Sequence, residues 1–304
     1  MNWTTDNIPS LVGKIIIVTG GNSGLGLQSV KAYSEKGAQV VLACRDFTKG
    51  EEARAEILKS VPAAQIAVMT LDLADLSSVR TFAERFSREF KSLDILLNNA
   101  GIMMPPYQLT KDGIESQQGT NHFGHFALTG LLLPKLKATP GARVVNVSSI
   151  AHKQGKMDFD NLLYDKGNGY SPMSAYGRSK LENLLFTFGL QEYFAKNNLD
   201  IKAIAAHPGV SDTNLFSKIG GQFLQTLLKP LFKLFIQPAS MGALPQLRAS
   251  VDASVKGGEY YGPDGSNEMK GYPIIVSPNN HALNKEHIAK LWEVSEKLTD
   301  VKYS

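Results

Sequence analysis

The chain has 304 residues, 43% hydrophobic and 20% charged, a globular composition with ample length to bury a core. Its net charge of +4 is spread along the sequence rather than gathered into a basic block, which argues against nucleic acid as a partner. Cys44 is the only cysteine, so no intrachain disulfide forms and a reducing cytoplasm is the expected compartment.

Met1 to Gly13 lacks a basic leader and a long apolar run, so it predicts neither a signal peptide nor a membrane span. Lys14 to Thr19 then reads as a strand covered on both faces, ending abruptly in Gly20, Gly21, Asn22, Ser23, Gly24, Leu25 and Gly26. A helix follows and stops near Gly37. Strand, glycine turn and helix in that order suit a dinucleotide pyrophosphate: glycines admit the backbone closely and the helix N-terminus offers free N–H groups.

Gln39 to Cys44 is the second strand and ends at Arg45, where a cation can neutralise a 2′-phosphate. That favours NADP(H), with NAD(H) as the alternative; the competing reading is an Arg45 paired with Asp46 or a nearby glutamate. The alternation continues with a helix over 51–59, a strand over 65–71, a helix over 76–90 and a strand over 93–97. Such βα repeats predict an α/β fold, a single doubly wound parallel sheet with helices on both faces, binding ligands beyond the strands' carboxyl ends. Asp72, Leu73, Asn98, Ala100 and Gly101 fall at those ends. Asp72 and Leu73 suit either an adenine edge or a capped turn, whereas at Asn98 a strand-end tie and a cofactor contact need not exclude one another.

Asp112 to Leu136 reads mostly as one long helix with Asn121, an indifferent helix former, in its midst. Arg143 to Val147 is the fifth strand and delivers Ser148 and Ser149 to the carboxyl edge, where a hydroxyl can donate to a developing oxyanion. Tyr176 and Lys180 stand four apart, on one helix face, which puts an ammonium beside a phenol. A free phenol has a pKa of about 10, and a fixed cation favours its ionised form. Tyr107 and Lys111 share that spacing, but Pro105, Pro106, Asp112 and Gly113 around them predict loop and turn.

A strand over 201–206 leads to His207, Pro208, Gly209, Val210, Ser211, Asp212 and Thr213. Residues 216–236 are strongly apolar, and a substrate-lid region over about 212–237 fits their position; a subunit contact in a homo-oligomer and a peripheral membrane contact are the other readings. Helices over 239–248 and 283–298 and a strand over 258–261 close a single domain, 1–304.

Taken in order, Thr19, Gly20, Gly24, Gly26, the run Asn98 to Gly101, Asn121, Ser149, Tyr176, Lys180, Pro208 and Gly209 resemble the short-chain dehydrogenases/reductases over nearly the whole chain. The resemblance implies an NAD(P)-dependent oxidoreductase on a Rossmann-type sheet with an Asn121, Ser149, Tyr176, Lys180 tetrad. Tyr176 would be the acid/base, and Lys180 would lower its pKa and hold the nicotinamide ribose. Ser149, the serine of the pair that the family usually employs, would polarise the substrate oxygen; Asn121 would place a relay water. Pro208, Gly209, Ser211 and Thr213 match the family's carboxamide-binding segment, with Ser211 where an apolar residue is usual.

The 27-position link from Ser149 to Tyr176 exceeds the usual family length, and with Gly258 to Gly265 and Leu291 to Glu293 it resembles the retinol-dehydrogenase-like branch. The implied substrate is a lipophilic alcohol/aldehyde or ketone. Two alternatives are protochlorophyllide-reductase-like reduction of a double bond and a non-catalytic NADP(H)-sensing protein.

Overall fold

The β-branched run Ile15–Thr19 forms strand β1 in the middle of the sheet, with Ile16, Ile17 and Val18 sealed from solvent on both faces. The computed structural model describes residues 2–211 and 237–303. In chain order, the next strands are β2 (Gln39–Cys44), β3 (Gln65–Thr70), β4 (Ile95–Asn98), β5 (Ala142–Val147), β6 (Ile201–Ala206), β7 (Tyr260–Pro263) and β8 (Pro273–Ile275). Their spatial order is β3-β2-β1-β4-β5-β6-β7-β8, parallel throughout except for β8, which pairs antiparallel with β7. Sequence predicts the parallel sheet and misses β8, a three-residue edge strand that opens on Pro273; a proline is tolerated at such a blunt edge.

Ile17 pairs with Val41 on one side and Leu96 on the other, so β1 is where the strand order reverses. A doubly wound sheet opens its ligand crevice at that reversal. One apolar layer holds Ile16, Val18, Val30, Tyr33, Leu244 and Leu247; the opposite layer holds Ile17, Phe82, Phe86, Phe126, Phe186 and Leu190. Burying each such large side chain contributes about 1.5–3 kcal/mol.

Proline and glycine set most departures from the expected boundaries. Asp112 and Gly113 form a turn, with Gly113 at φ +77°, so helix begins only at Ser116–Gln118 and ends as Leu133–Lys137 around Pro134. Between these lie a π-helical turn, Gly119–Phe123, and the helix Gly124–Leu131. Pro245, which lacks an N–H, similarly divides the expected 239–248 helix into Ala239–Gly242 and Leu244–Val251. The helix Pro172–Lys196 starts with Pro172, whose φ is preset for a first turn, and stops before Asn198 in the left-handed region.

The lid expectation over 212–237 lies outside the described residues apart from Gln237, which forms an isolated parallel bridge with Ser211. No described helix is long and apolar enough to cross a membrane.

Candidate active site

The helix Pro172–Lys196 packs so closely on the sheet that Tyr176, Arg178, Ser179, Lys180, Glu182 and Asn183 are all buried. Lys180 Nζ lies 5.8 Å from the Tyr176 ring centroid and donates to the Val147 carbonyl at 3.0 Å, pinning the side chain to the end of β5. Burial raises the Tyr176 pKa to about 12, with the Ser149 hydroxyl pulling it back, and lowers that of Lys180 to about 8. Desolvation is the larger influence on the phenol, and the Ser149 hydroxyl rather than the Lys180 ammonium is what opposes it. The Tyr107 and Lys111 spacing carries no such pairing, since Tyr107 packs edge-on against Tyr170 and Lys111 binds Asp75.

The two serines after β5 part ways. Ser148 Oγ donates to the Lys180 carbonyl at 2.7 Å, whereas Ser149 is half-buried, faces Tyr176 and accepts from the Ala151 N–H at 3.2 Å. Asn121 sits in the π-helical turn. Its Nδ2 donates to Ile102 O at 3.0 Å and Ser179 Oγ at 2.9 Å, and its Oδ1 accepts from Ile102 N at 2.8 Å. Both side-chain N–H groups are thus spent on structure, and Ser179 Oγ in turn donates to Tyr176 O at 2.8 Å. A relay water has only a remaining Oδ1 lone pair or the main-chain carbonyl to bind, and that carbonyl already meets His125 Nδ1 at 3.0 Å.

Gly20 and Gly24 both take positive φ, +65° and +51°, and the helix Gly24–Glu35 begins at Ser23 with no side-chain cap. Its first-turn N–H groups thus keep their capacity for an anion. A Cβ on Gly26 would lie 2.2 Å from Gly20 O, and one on Gly20 would lie 3.1 Å from Ala100. A Cβ on Gly101 would stand 3.1 Å from Asn121 Oδ1 and 3.4 Å from Lys180 Nζ, so this glycine keeps the floor beside the ammonium clear. Asn22 and Leu25 are half-exposed along the same turn.

Arg45 is exposed at the end of β2, while Asp46 caps the next helix through Lys49 N and pairs with Lys49, not with Arg45. Asp72 Oδ1 accepts from Ala74 N at 3.0 Å, the capped-turn reading, and Leu73 is buried against Gly124. Asn98 is 1% exposed and donates to Thr129 Oγ1 and Asn146 Oδ1, which makes it a tie between strand ends. Pro208 O accepts from Ser211 Oγ and from Gln237 Nε2, both at 2.8 Å, and Gly209 has φ +64°. Thr213 lies outside the described residues.

Thr19, which opens the glycine motif, has a hydroxyl that accepts from Asn99 N and Ala100 N, each at 2.9 Å, and so couples the glycine turn to the end of β4. Sequence reasoning passes over His152 and Glu268. His152 Nδ1 donates to Ser149 O at 2.7 Å, and Glu268 reaches His207 from a distant loop. Nothing near Glu268 in sequence marks it.

The short chain dehydrogenase family model matches residues 14–162. Retinol dehydrogenase 12 from Mus musculus is 41% identical over 302 residues, covering 98% of this chain and 90% of its own. Retinol dehydrogenase 11 from Homo sapiens is 42% identical over 241 residues, 79% of this chain and 74% of its own. A crystal structure of an uncharacterised protein from Mycobacterium paratuberculosis is 40% identical, with a TM-score of 0.83 and full coverage of both chains. The chain therefore belongs to the short-chain dehydrogenase family, in its retinol-dehydrogenase-like branch, and is an NAD(P)-dependent oxidoreductase acting on CH–OH or C=O groups.

Proposed function

We propose that this chain exchanges a hydride between NADP(H) and a lipophilic alcohol/aldehyde or ketone pair, within one domain over 1–304. The observation that carries the reading is the convergence of Ser149, Tyr176 and Lys180 beside the side-chain-free Gly101. The site fits a dinucleotide: an uncapped helix N-terminus faces the glycine turn, and a Cβ on Gly20 or Gly101 would crowd its neighbours at 3.1 Å. When bound, the nicotinamide supplies or accepts the hydride.

The chain's own residues do the rest. Tyr176 holds a proton and donates it to the substrate oxygen as that oxygen becomes an alkoxide. Ser149 donates a hydrogen bond to the same oxygen. Lys180, pinned by Val147, adds positive charge behind the phenol and reaches the ribose. Gly20, Asn22, Ser23, Gly24, Leu25 and Gly26 cradle the pyrophosphate, and Arg45, free of Asp46, takes the 2′-phosphate. Pro208, Gly209, Ser211 and Thr213 hold the carboxamide. Similarity to retinol dehydrogenases supports a lipophilic substrate, and the single thiol, buried at Cys44, suits the cytoplasm.

The test is NADPH oxidation and NADP⁺ reduction across a panel of lipophilic aldehydes, ketones and alcohols, with NADH and NAD⁺ in parallel. Tyr176→Phe should lower kcat by about 10²–10⁴-fold and leave NADPH binding intact. Full activity in that variant refutes the proton-transfer role, and a panel without turnover refutes the function.

A further inference from the structure

Glu268 comes from the far end of the chain and touches both sides of the site. Its Oε2 lies 2.9 Å from His207 Nε2, and its Oε1 lies 2.8 Å from Lys153 Nζ. His207 is buried at the end of β6, immediately before Pro208 and Gly209. Lys153 belongs to the turn Ile150–Gln154, which Ser149 itself caps. One carboxylate thus stands between the Pro208–Gly209 loop and the turn that carries Ser149.

The hydrogen bonds around His207 run in one direction. Gly209 N–H donates to His207 Nδ1 at 3.2 Å, so Nδ1 is bare and the ring proton is on Nε2, where it is donated to Glu268. Were the proton on Nδ1, two N–H groups would face each other at that distance. The ring has no freedom to move aside. A Cβ on Gly262 would lie 2.0 Å from His207 Nε2, and Tyr260 packs against the imidazole with its ring centroid at 5.2 Å.

The neighbouring backbone reinforces the hold. Met269 O accepts from Val210 N at 2.7 Å and would lie 2.3 Å from a Cβ on Gly209, which has φ +64°. Asn267 and Glu268 are themselves left-handed, at φ +52° and +58°. Two successive non-glycine residues in that region persist only where the surroundings over-determine them. Here the bonds to His207, Lys153 and Val210 supply that constraint.

We propose that Glu268 is a positioning residue: it fixes the His207 tautomer, and through the Gly209 N–H bond it holds the Pro208–Gly209 loop in the conformation that receives the nicotinamide end of the cofactor. The proposal rests on the cofactor reading above. Its chemistry asks only for an acceptor at position 268, not for a charge. Glu268→Gln therefore keeps the hold on the His207 tautomer and Glu268→Ala loses it, whereas the partly exposed Lys153 pair contributes little to the loop.

Two measurements test this. Imidazole ¹⁵N NMR of the cofactor-free protein, with His207 assigned by its loss in His207→Asn, should show the proton on Nε2 in wild type and in Glu268→Gln. Titration with NADPH, followed by nicotinamide fluorescence, should show Glu268→Ala binding about tenfold more weakly and Glu268→Gln within about threefold of wild type. The KM for NADPH should rise in Glu268→Ala, with kcat at saturation changed by less than about threefold.

A wild-type His207 protonated on Nδ1 overturns the proposal without reference to any cofactor, and does so even where Glu268→Ala fails to fold. Equal NADPH affinity in Glu268→Ala and wild type overturns it as well, as does a Glu268→Gln variant as weak as Glu268→Ala. Wild-type protein that binds neither NADPH nor NADH refutes the cofactor reading itself, and the proposal with it.

Discussion

Ser148 and Lys180 are joined by a 2.7 Å hydrogen bond from the serine hydroxyl to the lysine carbonyl, which spends the first serine after β5 on anchoring the helix and leaves Ser149 to face Tyr176. The two positions should therefore respond differently to alanine. Ser149→Ala should lower kcat by about 10²–10³-fold, as expected for losing a donor to a developing oxyanion, with NADPH affinity unchanged. Ser148→Ala should retain most activity but lose about 1–3 kcal/mol of stability, because the buried Lys180 carbonyl loses a partner. Steady-state kinetics paired with urea denaturation separates the two; equal kinetic losses would refute the division.

Gly101 is a spacing device beside Lys180. In Gly101→Ala the new methyl would stand 3.1 Å from Asn121 Oδ1 and 3.4 Å from Lys180 Nζ, so the Asn121 amide has to shift. Overpacking of this kind typically costs about 1–3 kcal/mol. A matching fall in the denaturation midpoint, with a raised KM for NADPH, is expected. An unchanged midpoint would mean that the amide gives way freely.

Arg45 is the proposed partner of the cofactor's 2′-phosphate. Arg45→Asp should reverse the preference of kcat/KM from NADPH towards NADH by about tenfold or more, because a carboxylate repels the 2′-phosphate and suits free ribose hydroxyls. Preference ratios measured in parallel for both cofactors check this; an unaltered ratio refutes the Arg45 role.

Acid should unfold the protein through its buried imidazoles. Burial lowers the pKa of His125 and His152 from 6.5 to about 4, and that of His122 to about 3. Between those values and 6.5 the unfolded chain binds more protons, so stability is full above pH 6.5 and falls as the pH drops towards 4. Each of His125 and His152 contributes on the order of 3 kcal/mol to that fall. The buried carboxyls of Glu115 and Glu182, raised by desolvation, act in the opposite sense. Guanidinium midpoints from pH 7 to 4.5 are therefore compared between wild type and His152→Gln, and an identical pH slope in both would refute burial of a neutral His152 ring.

Legibility in the sequence followed local physics. Ile15–Thr19 reads as a buried strand because its β-branched run leaves no polar face, and it is one. Tyr176 and Lys180 read as neighbours because helical spacing is a local rule, and Lys180 Nζ does lie over the Tyr176 ring at 5.8 Å. The segment around Asn121 was readable as helix, but neither the π-helical turn within it nor the bonds of its amide to Ile102 and Ser179, which come from elsewhere in the chain, were. The same limit applies to Asp72, whose Oδ1 accepts from Ala74 N only because the chain turns there.

By itself, the sequence determined the order of strands and helices, the glycines that admit a close backbone approach, and the identity of the groups able to exchange a proton. Those follow from residue type and short-range spacing. Only the tertiary structure decided which way the Tyr176 pKa moves, since burial raises it and the Ser149 hydroxyl that lowers it comes from another strand end. It also decided which serine is free, and it brought Glu268 to His207 across 61 positions of chain. Desolvation and long-range hydrogen bonding depend on what packs around a residue, which its immediate neighbours in sequence do not record.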